Sequence, residues 1–420
     1  MKKFGMKSLI LFFMLALVLS GCASKETATS KNGSSSSKDN PAKSKESTNG
    51  DTIKIGFIGA LSGSVGAVGQ DMKKGGELAV EMINEKGGIN GKKVELVSKD
   101  TKGNPKDGIQ AVRDLTQQGV KLFTGVVSSG VALAIPPVLE QENAIVMTTA
   151  AGADEITGKN FNRHVFRVSD NAYMRNTSAA NLFYKKYPNL NNWANFSPDY
   201  AYGHASWDAF NNQMKKINPK YKVVKDSWPK FGATDYKNEI ASILAAKPDA
   251  VFSSLYSADA ITMSKQAKPY DFFKQIGLFV LNSNEGDISS ALGKDMHPEW
   301  SGVHYYAEAY DNALNKEFVE RFKQKFGAEP NGYNSETYVS IFAYKQAMEK
   351  SNSMDTDTLI KTLEGMKFDS VTGQREFRKE DHQAIKDIVW VKVEPDNSDK
   401  GWKVTEIEIV PGAEVMPPLN

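Results

Sequence analysis

From Asp51 onward, short apolar runs alternate with amphipathic stretches of about ten to fifteen residues. This rhythm constrains the fold more than any other feature. A run such as IKIGFI (53–58) suits a strand buried on both faces. A helix-period stretch beside it must cross back over the sheet, so successive strands run parallel. The first unit reads as strands at 53–58, 92–100, 120–126 and 143–150, with helices at 69–86 and 104–118 and within 130–142. Pro136 and Pro137 imply a kink or a late start in the last helix. The rhythm then restarts, with strands at 164–168, 191–197, 221–228, 249–255 and 275–282 and helices at 172–187, 202–217, 235–246 and 258–270. No sequence repeat relates the two units, and no Pro/Gly/Ser linker separates them. Helical patterns at 312–326, 334–350 and 356–365 precede terminal strands at 373–379, 384–394 and 402–410. Helices returning after the second unit imply that the chain crosses between units more than once. The fold class is α/β, with two parallel-sheet lobes joined by a hinge.

The first residues set the compartment. Lys2, Lys3 and Lys7 stand without an acid before SLILFFMLALVLS, a run too short to span a bilayer comfortably, so residues 1–21 read as an export signal. LSGC at 19–22 resembles the bacterial lipobox, which makes Cys22 the lipidation site and the mature N-terminus. Two or more acyl chains, palmitate among them, anchor a protein stably. Cys22 is the only cysteine, so no disulfide forms within the chain. Residues 22–51 have almost no apolar side chain larger than alanine and read as a disordered tether with a reach of about 30 Å. The folded part is expected outside the cytoplasm, held to the cell membrane on its extracellular or periplasmic face. The net charge of +2 falls near neutrality without the signal's lysines, which gives no reason to expect nucleic acid.

The residues offer little catalytic chemistry. Gly63, Gly66 and Gly69 are spaced by three, unlike G-x-G-x-x-G, and no G-x4-G-K-[ST] occurs. No G-x-S-x-G is present, and the five histidines form no H-x3-H pair. We expect no cofactor, no metal and no enzyme activity. The glycine-rich loop reads as a cleft wall whose backbone turns tightly and approaches a ligand.

The ordered set of 53–100, AIVMTTAAGADEITG, YAYGHASWDAF, PDAVFSSLYSADA and LNSNEGD resembles the leucine/isoleucine/valine-type substrate-binding proteins of ABC importers, over 52 to about 410. The resemblance implies two doubly wound lobes and three hinge crossings, near 168–171, 305–308 and 368–372. Lobe one is then 52–169 plus 307–368, and lobe two is 170–306 plus 369–420. It implies a monomer that captures an aliphatic, branched-chain or otherwise apolar amino acid by hinge closure and delivers it to permease subunits. Of Ser128 and Ser129, one suits a helix N-cap; the resemblance gives Ser129 to the ligand carboxylate. Ala151, Gly152 and Ala153 offer backbone groups, with Ala153 standing where the family often has threonine. Tyr202 and Tyr256 form walls, Glu285 pairs with the ligand ammonium, and Val68 lies beside the ligand side chain. Alternatives remain. Tyr202 can pack on its own helix, and Glu285 can be a solvated loop acid. The ligand can be an aromatic carboxylate, an amide or a urea-like molecule, and the protein can serve as the sensing partner of a separate receptor.

Overall fold

The computed structural model describes residues 52–419. The export signal, Cys22 and the tether lie outside the described residues. Strands β1 (Ile53–Gly59), β2 (Val94–Asp100), β3 (Leu122–Gly125), β4 (Ile145–Thr148) and β5 (Val165–Arg167) form one parallel sheet in the order β2-β1-β3-β4-β5. β3 and β4 are buried along their whole length, as runs such as LFTG and IVMT require when helices cover both faces.

The second sheet contains β6 (Asn192–Phe196), β7 (Lys222–Ser227), β8 (Ala250–Ser253), β9 (Leu278–Leu281) and β10 (Glu299–Val303), parallel and in the order β7-β6-β8-β9-β10. Both lobes thus repeat one winding, with the order reversing between the first and third strands, although no sequence repeat announces it. β11 (Lys367–Ser370), β12 (Gly373–Phe377) and β13 (Ala384–Ile385) form a small antiparallel sheet. β14 (Ile388–Pro395) and β15 (Trp402–Val410) extend the second sheet antiparallel beside β10.

Two expected elements divide. The helix within 130–142 breaks into Ser129–Ala134 and Pro136–Gln141, because the second begins on the proline pair. The run 384–394 is two strands in two different sheets, interrupted at Lys386 and Asp387. That interruption moves the third hinge crossing. Phe368, Val371, Phe377 and Ala384 belong to the apolar cluster of the first lobe, whereas Val389 and Val391 belong to a cluster of the second. The passage therefore falls between Ala384 and Ile388, and residues 368–372 belong instead to β11 and the turn after it. The other passages lie between Val168 and Met174 and between Val303 and Tyr305.

One buried ammonium joins all three passages. Lys386 Nζ donates to the His304 carbonyl at 2.7 Å and lies 3.3 Å from Asp170 Oδ1 and 3.1 Å from Glu336 Oε1. Asp170 belongs to the first passage, His304 to the second and Lys386 to the third. Glu336 stands on the helix Gly332–Ser351 and accepts a bidentate pair from Arg375 Nη1 and Nη2, at 2.6 and 3.0 Å. Burial alone would raise the Asp170 carboxyl; Arg175, Lys386 and His304 hold it well below the usual range.

Candidate ligand-binding cleft

Loops at the carboxyl ends of both parallel sheets meet over one cleft, with about 430 Å³ of empty space including its mouth. Ser129 and Gly152 come from the first sheet's loops; Tyr202, Tyr256 and Asn282 come from the second's. Two left-handed residues flank it, one per lobe: Val126 at φ 69° after β3 and Ser257 at φ 50° after Tyr256. This conformation is costly for a β-branched residue. At these two sharp bends the chain turns into the short helix that begins at Ser129 and into the helix that follows Tyr256.

The two serines divide their duties. Ser128 is the N-cap of Ser129–Ala134, its Oγ accepting from the Val131 N–H at 3.5 Å. Ser129 lines the cleft and accepts the Ala153 N–H at 3.1 Å, which leaves its own O–H free of partners among the described residues. The extended stretch after β4 alternates: Ala150 and Gly152 face the cleft, while Ala151 and Ala153 pack into the first lobe's core. Arg167, fully buried, braces that stretch from behind, donating from Nη1 to the carbonyls of Ala151 at 3.0 Å and Ala153 at 2.8 Å. A Cβ at Gly152 would stand 2.9 Å from the Tyr202 ring, so glycine lets the two lobes approach.

Tyr200, Tyr202, Tyr256 and Tyr333 form the aromatic walls. Tyr202 packs edge-on to Tyr256 with centroids 5.8 Å apart, and burial pushes its hydroxyl up to about 12, keeping it a neutral hydrogen-bonding group. Val68 stands behind Tyr256 and Tyr333 in their apolar cluster and does not reach the cleft wall. The glycine-rich loop before it is tied instead to Asp100, which accepts from the Leu61 N–H at 2.8 Å and the Ser62 hydroxyl at 2.6 Å.

Glu285 is not on the cleft wall. Its Oε1 accepts the His304 N–H at 2.6 Å, and its Oε2 accepts the Gly332 N–H at 3.1 Å, at the N-terminus of a twenty-residue helix of the first lobe. The carboxyl thus links the loop after β9 to that helix, where a negative group is favoured by the helix dipole. Burial raises its pKa to about 8, against the pull of Arg175 and the His304 N–H.

Residues that the sequence did not single out complete the wall: Asp170, Asn171, Arg175, Asn282, Ser283 and His304. Arg175 donates from Nε to Asp170 Oδ2 at 2.6 Å and from Nη1 to the Asn282 carbonyl at 2.9 Å. His304 Nδ1 lies 2.7 Å from Asp170 Oδ1, and burial together with Arg175 lowers its pKa to about 4, so the ring is neutral at physiological pH. Asn171 could have been suspected, because Asn before a helical pattern signals an N-cap; nothing in the sequence shows what its amide nitrogen faces. Among the described residues no cluster of three or more His, Cys, Asp or Glu is placed to hold a metal ion, and no helix is long and apolar enough to cross a membrane.

Comparison with known proteins fits this architecture. Residues 52–400 match the model of a family described as periplasmic binding protein. A protein named Leu/Ile/Val-binding protein homolog 3, from Brucella melitensis biotype 1, is 31% identical over 312 residues, 73% of this chain and 82% of its own length. A leucine-, isoleucine-, valine-, threonine- and alanine-binding protein from Brucella ovis, solved in a closed conformation, superposes with a TM-score of 0.76 at 22% identity, over 88% of this chain and 97% of that one. An ABC-transporter solute-binding protein from Rhodopseudomonas palustris BisB5, solved with 3,4-dihydroxybenzoic acid, also gives a TM-score of 0.76 at 22% identity, over 86% of this chain and 98% of that one. The two-lobed α/β architecture, the cleft between the lobes and the match over most of the folded chain agree: this chain belongs to the periplasmic binding protein family.

Proposed function

We propose that the chain is a lipid-anchored, extracytoplasmic substrate-binding protein of an ABC importer. It captures a small apolar α-amino acid between its lobes and hands it to permease subunits, as a non-catalytic monomer tethered through Cys22. The carrying observation is the cleft itself, built from carboxyl-end loops of both sheets, with aromatic walls and uncommitted hydrogen-bonding groups. A ligand that touches both lobes stabilises their approach, and the closed form is what a permease can recognise. The relative named for leucine, isoleucine and valine supports the amino-acid class.

A second reading, an aromatic carboxylate, is favoured by the four tyrosines and by the turning of Glu285 away from the cleft. Titration calorimetry against leucine, valine, phenylalanine, benzoate and 3,4-dihydroxybenzoate separates the two. Binding of the amino acids and not the benzoates is expected; the reverse result replaces the first reading with the second.

The serines give a sharper check. Ser129→Ala should weaken ligand binding about two- to tenfold, the effect of one neutral hydrogen bond, and should also cost about 1–3 kcal/mol of stability, because the buried Ala153 N–H loses its acceptor. Ser128→Ala should cost about 1 kcal/mol of unfolding free energy through the lost cap and change affinity less. Equal affinity losses in both variants would remove Ser129 from the ligand.

A further inference from the structure

Two buried amides on the cleft wall each have one half committed to the protein and one half unused. Asn171 is 2% exposed. Its Oδ1 accepts the Met174 N–H at 2.8 Å and caps the helix Ala172–Lys186. That bond fixes the amide's orientation, since only the oxygen can accept; Nδ2 faces the other way and finds no partner among the described residues. Asn282 is fully buried at the end of β9. Its Nδ2 donates to Tyr202 Oη at 2.9 Å and Ser206 Oγ at 3.2 Å, and its Oδ1 finds no partner among the described residues.

Orphaned buried amide groups are destabilising unless something completes them. The ionisable groups beside them are already engaged: the Asp170 carboxylate by Arg175, His304 and Lys386, and the Glu285 carboxyl by two backbone N–H groups. The residues that line the cleft therefore include one spare donor at the first hinge passage and, with the Asn282 amide turned so that Nδ2 meets the two hydroxyls, one spare acceptor in the second lobe.

We propose that Asn171 and Asn282 are the residues that set ligand class. Asn171 Nδ2 donates to a carboxylate or carbonyl oxygen of the ligand, and Asn282 Oδ1 accepts an N–H from its ammonium or amide. This rests on the small-molecule-binding reading above and narrows it to ligands that carry both groups. An arene carboxylate would complete Asn171 and leave the Asn282 oxygen unpaired in a closed cleft.

Asn171→Asp and Asn282→Asp test the two halves with the fold preserved. Asp caps a helix as well as Asn does, and the hydroxyls of Tyr202 and Ser206 can turn to donate to a carboxylate. Calorimetry with leucine and benzoate is run on the wild type and both variants, alongside thermal unfolding. Asn171→Asp puts a negative oxygen where the donor stood and should weaken leucine at least thirtyfold, with a lowered but still cooperative unfolding transition that shows the fold retained; a loss under threefold overturns its assignment. Asn282→Asp sets a carboxylate against the ligand ammonium and should tighten leucine binding at least threefold; an unchanged or weaker leucine affinity overturns the Asn282 assignment. A wild type that binds benzoate and not leucine ends the amino-acid reading and the role of Asn282, while loss of benzoate in Asn171→Asp would still support Asn171. A wild type that binds neither overturns the pair.

Discussion

Replacing Lys386 with methionine is expected to lower the unfolding free energy by about 3–5 kcal/mol. The ammonium has no exposed surface and sits against Asp170 and Glu336, both buried. Methionine fills most of the same volume, so the loss is electrostatic and not a cavity effect. Two carboxylates would keep Arg175 and Arg375 as partners but face each other without the cation between them, and the His304 carbonyl would lose its donor. Denaturant unfolding followed by circular dichroism reads the change. Lys392→Met is the control, because Lys392 bridges Glu394 and Glu406 at the surface, where such pairs contribute about 0–1 kcal/mol. Similar small losses in both variants would show that the hinge carboxylates do not depend on Lys386.

Stability is expected to fall as the pH rises from about 6.5 to 8.5. Burial raises Glu285 to about 8 and Glu299 to about 7, from an ordinary value of 4.5. Between those values the folded chain holds protons that the unfolded chain has released. The stability these groups contribute is complete at low pH and is lost as the pH climbs through 7 and 8. His297 and His304 act in the opposite sense. Burial lowers them to about 3 and 4, so acidification below the ordinary 6.5 protonates the unfolded chain first and erodes stability. Burial likewise raises Asp154 to about 7, and with it the net loss between pH 6.5 and 8.5 is about 3 kcal/mol at 1.36 kcal/mol per unit. Thermal melts across that range measure it, and Glu285→Gln should remove most of the slope. A midpoint that is flat or rises toward pH 8.5 would show that these carboxyls are ionised in the fold.

The strand–helix rhythm made both sheets legible, because strands buried on two faces must be apolar nearly throughout. It could not show the break at Lys386 and Asp387. AIKDIVWVKVE is apolar enough on either side to read as one strand, and only the placement of Ala384 and Ile388 in different cores divides it. In the cleft, the loops were readable and the side-chain partners were not. Which serine caps the helix depends on backbone angles that either residue could adopt. Glu285 stands in the expected loop, but its partners, the His304 and Gly332 N–H groups, lie 19 and 47 residues away, beyond any local pattern. Asn171 and Asn282 were hidden for a different reason: each is half spent on ordinary structural bonds, and only coordinates reveal the unused half.

The Lys386 junction also bears on attempts to cut the protein apart. Neither lobe is a continuous piece of chain, so isolating one means splicing segments across severed passages. A splice that keeps Glu336 with the first lobe and β14 with the second must assign the ammonium to one side, leaving the carboxylate on the other with its arginine alone. Chimaeras that exchange lobes between relatives therefore inherit a compatibility condition at the core of the junction. A donor lobe succeeds only where it brings, or meets, a cation at this one position.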